Sequence, residues 1–119
     1  MSAKINLKQG DLCLFDFSPS IGHEFQGKRP ALIIQSDNQI TKSSLITVMP
    51  LTSNLNNHLK DDVFVMANFK NKLFVDSIIK VYNIISLDYE RFVNKIGCVD
   101  GDTMIKVKEY LRKHFEISN

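Results

Sequence analysis

Residues 11–17, DLCLFDF, place Cys13, Phe15 and Phe17 on one side of an extended chain and Leu12, Leu14 and Asp16 on the other. Apolar β-formers at period two predict a β-strand, because successive strand side chains point to opposite faces. Short apolar runs bounded by turn residues predict further strands, and Pro50 is expected to end the second of them. These further strands are residues 30–35, 44–49, 63–66 and 74–81. The N-terminal two thirds of the chain is therefore predicted to be β-rich.

Two segments after the strands have helical features. Residues 86–92 begin with Ser86, a good N-cap, and carry acidic side chains in the first turn, so they predict a short helix. The C-terminal segment predicts an amphipathic helix that Asp100 or Asp102 caps. Its inward-facing positions at helical spacing are Met104, Val107, Leu111 and Phe115.

The order of these elements favours an α+β domain built on a curled antiparallel sheet, a small barrel. Its 119 residues are close to the commonest single-domain size, so we expect one domain over residues 1–119. A βαβ arrangement is excluded because the gaps between the predicted strands contain no good amphipathic helix.

Composition narrows the class of protein. The formal net charge is +2 and 24% of residues are charged, which permits nucleic-acid binding without the strongly basic balance of a dedicated binder. The sequence contains neither a signal peptide nor an apolar stretch of membrane-spanning length, so we expect a cytoplasmic protein without a membrane partner. Cys13 and Cys98 are then expected to stay reduced.

The ionisable side chains lack the spacing of a metal site. The histidines at positions 23, 58 and 114 are far apart, and the acidic pair Asp61–Asp62 lacks the alternating ligands of a calcium loop. Walker A and GxGxxG patterns are also absent. We therefore expect no cofactor and no metal ion.

One polar segment, GHEFQGKRP at residues 22–30, is rich in groups that bind phosphate or transfer protons. Arg29 precedes Pro30 and a buried apolar run, so its backbone is fixed while its guanidinium leaves the core and offers a bidentate fork to phosphate. A surface ion pair is the alternative role for Arg29. The portion from Gly22 to Gln26 is interpreted as a mobile flap.

Three other positions carry candidate chemistry. Thr52 and Ser53 follow the third predicted strand, where their hydroxyls can bind a phosphate or cap a turn. Asp76 interrupts an apolar strand and needs a partner, which a salt bridge to Lys80 would provide. Together with His23 and Glu24, these residue types match what metal-free RNA cleavage requires: a base, an acid and a cation that stabilises phosphoryl charge.

The sequence resembles the MazF/PemK/Kid family of toxin endoribonucleases from about residue 9 to residue 115. The resemblance is carried by GHEFQGKRPALII, by VMPLTS at residues 48–53 and by Val75-Asp76. It implies an SH3-like barrel of the PemK/CcdB type with a C-terminal helix, acting as a homodimer. It also implies metal-independent cleavage of single-stranded RNA to 2′,3′-cyclic phosphate and 5′-hydroxyl ends, and a cognate antitoxin with an extended segment.

The same resemblance assigns roles to individual residues. Arg29 matches the catalytic arginine, Thr52 the phosphate-contacting threonine, His23 the loop histidine and Asp76 the aspartate of an Asp-Gln block, in which Ser77 here replaces Gln. His23 and Asp76 are both candidates for the general base. The residues expected to contact RNA are Glu24, Gln26, Lys28, Ser53, Asn54 and Lys80.

Two other functions are compatible with the same barrel. A CcdB-like toxin poisons DNA gyrase through a C-terminal segment containing tryptophan, whereas this chain has no Trp. A barrel that binds RNA or protein without catalysis is the second alternative.

Overall fold

The computed structural model describes Lys4, residues 6–18 and residues 27–118. Over this part of the chain, seven strands are followed by a C-terminal helix. The elements are β1 (Asp11–Asp16), β2 (Lys28–Ile33), β3 (Leu45–Thr52), β4 (Val63–Val65), β5 (Ser77–Ile79), β6 (Ile85–Asp88), β7 (Phe92–Cys98) and α1 (Gly101–Phe115). The predicted α+β class is confirmed.

The strands pair antiparallel in the order β4-β5-β3-β2-β1-β7, and β6 also pairs with β3. Strand β3 is the organising element because it contacts β2 along one edge and two strands in turn along the other. Its first half pairs with β6 over Leu45–Val48, and its end pairs with β5 at Leu51 and Thr52. The sheet therefore curls around β3, as the predicted barrel requires.

Strand β3 does not end at Pro50, as the sequence predicted, but continues to Thr52. Pro50 lies between the segment paired with β6 and the segment paired with β5. Its missing N–H is tolerated at this change of neighbour, while its carbonyl accepts the N–H of Lys80 at 2.9 Å. The extension matters because it carries Thr52 to the end of the strand.

Two apolar clusters lie on opposite faces of the central strands. Leu12, Leu32 and Met49 belong to the cluster that α1 covers, whereas their neighbours Cys13 and Ile33 belong to the other cluster. Because adjacent residues of β1 and β2 are buried on different faces, these strands appear in the sequence as continuous apolar runs.

Residues 86–92 do not form the predicted helix. Strand β6 occupies Ile85–Asp88, a single 3₁₀ turn follows over Tyr89–Arg91, and β7 begins at Phe92. The segment does contain a helix cap, but the cap serves only this short turn: the Asp88 carboxylate accepts the N–H of Glu90 at 3.0 Å. Pairing of β6 with β3 and of β7 with β1 overrides the helical preference.

Helix α1 begins where the sequence indicated. The Asp100 carboxylate caps it by accepting the N–H of Thr103 at 2.9 Å. Val107 is buried and Tyr110, which was not predicted to face inward, is buried beside it. Phe115, predicted to face inward, is instead 55% exposed at the last turn. Within the described residues, no helix is long and apolar enough to cross a membrane.

The two cysteines are both free but differ in accessibility. Burial, with a contribution from nearby Asp11, raises the pKa of the Cys13 thiol to about 12. Since only the thiolate is nucleophilic, we expect iodoacetamide at pH 8 to alkylate the partly exposed Cys98 in the native protein and to spare Cys13. Mass spectrometry should find one modified thiol per native chain and two after denaturation. Fast native labelling of Cys13 would contradict its placement in the core.

Candidate functional site

Strand β2 begins at Lys28, so the last three residues of the GHEFQGKRP segment belong to it. Gly27, directly before the strand, has a φ of +72°, in the left-handed region that glycine adopts readily. The chain turns at this glycine, and Lys28 and Arg29 are the first two residues of the strand. Arg29 then pairs with Phe15 of β1, a fully buried residue. The backbone of Arg29 is therefore fixed by the sheet, as predicted, while Lys28 is exposed.

The connection between β1 and β2 is closed at its base by hydrogen bonds. The N–H of Phe17 donates to the Gly27 carbonyl at 2.9 Å, and the N–H of Gly27 donates to the Ser18 hydroxyl at 2.7 Å. The guanidinium of Arg91 also donates to the Ser18 carbonyl. No sequence pattern indicates this role for Arg91, because Ser18 lies 73 residues earlier in the chain.

The candidates His23, Glu24 and Gln26, with the flap predicted over residues 22–26, lie outside the described residues. Their assigned roles therefore stay predictions.

Thr52 is buried at the end of β3, with exposed Ser53 and Asn54 directly after it. Its hydroxyl accepts the N–H of Asn54 at 3.1 Å, so the turn-capping role considered for it is present. A hydroxyl that accepts one hydrogen bond still has its own hydrogen to donate. Arg29 and Thr52 both lie toward the same end of the β2–β3 pair, two residues beyond the paired Ala31 and Pro50.

A loop of residues 68–73, termed here the 68–73 loop, is held by Asn71, whose side chain is buried. The Asn71 amide oxygen accepts the N–H groups of Asn68 and Leu73, each at 3.0 Å, and its amide nitrogen donates to the Met66 carbonyl at 2.8 Å. Since every one of these partners is a backbone group, Asn71 fixes the path of the chain rather than another side chain.

The 68–73 loop docks on strand β7 at Gly97. A Cβ atom at this position would lie 2.5 Å from the Asn71 carbonyl oxygen and 2.6 Å from the Lys70 carbonyl oxygen, closer than real Cβ contacts. The N–H of Cys98 donates to the Lys70 carbonyl at 3.2 Å. Glycine is thus required at position 97 because the backbone of the loop occupies the space of a side chain.

Asp76 lies between the loop and β5 and is partly buried. One of its carboxylate oxygens accepts the N–H of Ala67 at 2.8 Å, so Asp76 helps to close the β4–β5 connection. Its neighbours Val75 and Ser77 line the pocket described next. The structure places Asp76 near the candidate site and gives it this structural contact.

These elements enclose a pocket of about 390 Å³, termed here the Arg29 pocket. The start of β2, the end of β3 and the segment from residue 73 to residue 77 contribute to its lining. Its lining residues are Gly27, Lys28, Arg29, Pro30, Leu51, Ser53, Leu73, Phe74, Val75 and Ser77. Two cations and two serine hydroxyls thus share the pocket with apolar side chains, an arrangement that suits a ligand with an anionic part and an apolar flat part.

Lys80 does not join this site. Lys80 is only 3% exposed, and its ammonium donates to the Asp62 carboxylate and to the Asn57 carbonyl. The same carboxylate accepts the N–H groups of Leu59 at 2.9 Å and Val81 at 3.1 Å. The predicted Asp76–Lys80 salt bridge is wrong, and this buried pairing argues against the RNA contact predicted for Lys80.

The sequence therefore identified one wall of the Arg29 pocket and missed the other. Arg29, Lys28 and Ser53 line the pocket, Thr52 lies directly beside it, and exposed Asn54 follows. The strand predicted over residues 74–81 is wrong in extent, because β5 covers only Ser77–Ile79 and Phe74 and Val75 line the pocket instead. Their apolar character alone does not distinguish a strand from a pocket wall. Asn71 and Gly97 are the residues in the sequence that could have indicated the other wall. Neither is interpretable from sequence alone, because their role is to dock the 68–73 loop on β7.

Comparison with known proteins gives consistent results. The model of a family described as PemK-like, MazF-like toxin of type II toxin–antitoxin system matches residues 8–115. Endoribonuclease MazF from Staphylococcus epidermidis is 31% identical over 113 residues, covering 95% of this chain and 94% of the relative.

Solved structures share the fold. MazF (Form-I) from Deinococcus radiodurans superposes with a TM-score of 0.79 at 24% identity, covering 93% of this chain and 97% of that one. A chain of the MazE–MazF structure (Form-II) from the same organism gives a TM-score of 0.73 at 21% identity, with coverages of 94% and 97%. Both matches are below 25% sequence identity, so they show a shared fold.

Proposed function

The chain belongs to the PemK-like, MazF-like toxin family of type II toxin–antitoxin systems, and we propose from this premise that it cleaves single-stranded RNA at short sequence motifs without a metal ion. The observation that carries the proposal is the Arg29 pocket, where Arg29 is held by the sheet beside Lys28, Ser53 and the buried Thr52. The S. epidermidis relative is named an endoribonuclease, which supports the same activity here.

In the proposed reaction, the ribose 2′-oxygen attacks the adjacent phosphorus while the bond from phosphorus to the 5′-oxygen breaks. The 2′-hydroxyl gives its proton to a general base, and the leaving 5′-oxygen receives a proton from a general acid. The products are a 2′,3′-cyclic phosphate and a 5′-hydroxyl. No water is consumed, so the protein needs only to orient the phosphate, move protons and stabilise phosphoryl charge.

Arg29 supplies that stabilisation. A guanidinium offers two parallel N–H donors to two phosphoryl oxygens, and a fixed donor costs little reorganisation as charge develops. It can also donate the proton to the leaving oxygen. Thr52 orients the scissile phosphate by donating its hydroxyl hydrogen. Because Arg29 provides the positive charge at the phosphate, the proposed chemistry requires no metal ion.

His23 and Asp76 are the two candidates for the general base. Asp76 is anchored by its hydrogen bond from Ala67 and keeps a second carboxylate oxygen. The His23→Ala and Asp76→Asn variants distinguish the candidates. A general base acts only when it is deprotonated, so loss of the base should remove the limb of the pH–rate profile on which the cleavage rate increases with pH. The variant that retains this limb identifies the residue that is not the base.

RNA outside the scissile step is read by the polar residues around the pocket. Lys28 is exposed on the pocket wall and contacts a phosphate, and the exposed Ser53 and Asn54 offer hydrogen bonds to base edges. Glu24 and Gln26 belong to the same proposed RNA-binding set, from the connection between β1 and β2.

The proposal includes protein partners. A homodimer acts on cellular mRNA in the cytoplasm, and a cognate antitoxin with an extended segment neutralises it. The structural support is the match to a chain of a MazE–MazF structure and the match to an endoribonuclease solved with its cognate antitoxin from a mycobacterial species, at a TM-score of 0.69.

The activity is tested by incubating the purified protein with a mixed RNA pool in excess chelator and, in parallel, with Mg²⁺. We expect equal cleavage rates under the two conditions, because Arg29 rather than a metal ion stabilises the phosphoryl charge. Cleavage that is lost with chelator and restored by Mg²⁺ would contradict the proposal. Failure to cut RNA while DNA gyrase supercoiling is inhibited would assign the chain to the CcdB-like alternative.

A further inference from the structure

Phe74 projects into solvent beside the cations of the Arg29 pocket. Phe74 is fully exposed, although burying a phenylalanine side chain is normally favourable. Val75, the next residue, is 54% exposed and lines the same pocket. An apolar wall that stays in water next to Lys28 and Arg29 indicates a surface that a ligand covers.

The chain holds Phe74 at this place from both sides. Leu73, directly before it, donates its N–H to the buried Asn71 side chain, and Asp76, two residues after it, accepts the N–H of Ala67. The 68–73 loop, which ends directly before Phe74, also rests on Gly97, where no side chain fits. Little conformational freedom is therefore left for the backbone of Phe74 to lose when a ligand binds.

The chemistry of the pocket favours a nucleotide in a single strand. Arginine and lysine contact the phosphate, while an exposed aromatic ring offers a stacking face that any base can use. An aliphatic ligand would not use the flat ring, and paired bases would not expose a free face to it.

We propose that Phe74 is the stacking platform for the nucleobase next to the phosphate that Arg29 binds, with Val75 as its apolar neighbour. This inference rests on the proposed function and deepens it by assigning a base-binding position. Because stacking is tolerant of base identity, Phe74 contributes affinity and alignment, whereas hydrogen-bonding residues around the pocket select the sequence.

Phe69 provides a matched control. It is 99% exposed, belongs to the same connection between β4 and β5, and does not line the Arg29 pocket. Phe69→Ala and Phe74→Ala therefore remove equally exposed aromatic rings, only one of which is at the proposed site. Phe74→Trp restores a stacking face at the same position.

The probe is a fluorescent 2′-O-methyl RNA of mixed sequence, about twelve nucleotides long, within the range that single-strand sites cover. It cannot be cleaved because its 2′-oxygens are blocked, so binding is measured apart from catalysis. Fluorescence anisotropy measures the dissociation constant at fixed salt. We expect Phe74→Ala to weaken binding about 5- to 100-fold and Phe74→Trp to bind like wild type. Phe69→Ala should change the dissociation constant less than about twofold.

Equal effects of Phe69→Ala and Phe74→Ala would overturn the inference, as would an absence of binding by the wild type. A Phe74→Ala protein that binds normally but dissociates into monomers would also overturn it, by assigning Phe74 to a subunit contact; sedimentation measures this. Failure of the proposed function is a different result: wild-type protein that binds this probe but leaves ordinary RNA uncut.

Discussion

Arg29→Ala protein should fold normally and lose about 10²–10³-fold in the rate of RNA cleavage, because the main stabiliser of charge on the phosphoryl oxygens is gone. The variant should keep the fold because Arg29 is held by backbone pairing with Phe15, which the substitution leaves in place. Single-turnover cleavage of a labelled RNA at saturating protein measures the chemical step directly. Circular dichroism confirms that the variant is folded.

Two neighbouring substitutions make this result specific. Lys28→Ala removes an adjacent, exposed cation of the same pocket, and we expect it to weaken RNA binding and reduce the salt dependence while leaving the single-turnover rate nearly unchanged. Arg29→Lys keeps the charge but loses the bidentate fork, so it should rescue only a small part of the rate. Equal single-turnover rates for wild type and Arg29→Ala would remove Arg29 from the mechanism.

Lys80→Ala should lower the free energy of unfolding by about 3–5 kcal/mol, because it leaves the Asp62 carboxylate buried without its cation. The Asn57 carbonyl also loses its donor. Urea denaturation measures the loss directly. An exposed lysine, Lys42, serves as the control, and its replacement by alanine should change the unfolding free energy by less than about 0.5 kcal/mol.

The same variant decides between the two roles considered for Lys80. If Lys80 is structural, the folded Lys80→Ala protein binds the uncleavable RNA as wild type does at low temperature. A stable Lys80→Ala protein with weakened RNA binding would support instead the RNA contact predicted from sequence.

The pattern of apolar residues was sufficient for the central strands and for α1. In β1 to β3 both faces are buried, and the resulting runs are too apolar for a surface segment, while Asp100 marks the helix start with a side-chain cap. For β6 and β7 the local signals favoured a helix, and the competing strand pairings with β3 and β1 involve residues far away in the sequence.

The same distinction between local and distant contacts explains which residues of the site were predicted correctly and which were not. Arg29 and Thr52 lie in contiguous motifs, so they were visible without the structure. Lys80 was paired with Asp76 on the assumption of one continuous strand, but β5 ends at Ile79 and the partner of Lys80 is Asp62, 18 residues earlier. Phe74 became interpretable only when the docking of the preceding 68–73 loop placed it in the same pocket as Arg29.

The chemical identity of the RNA ends tests the central claim most directly. A short RNA cut by wild-type protein in excess chelator should give, by mass spectrometry, a 5′-hydroxyl fragment and a fragment ending in a 2′,3′-cyclic phosphate, one water molecule lighter than a linear phosphate. Arg29→Ala protein should give almost none of either fragment in the same time. Fragments with 5′-phosphate ends, or equal yields from the two proteins, would contradict transesterification assisted by Arg29.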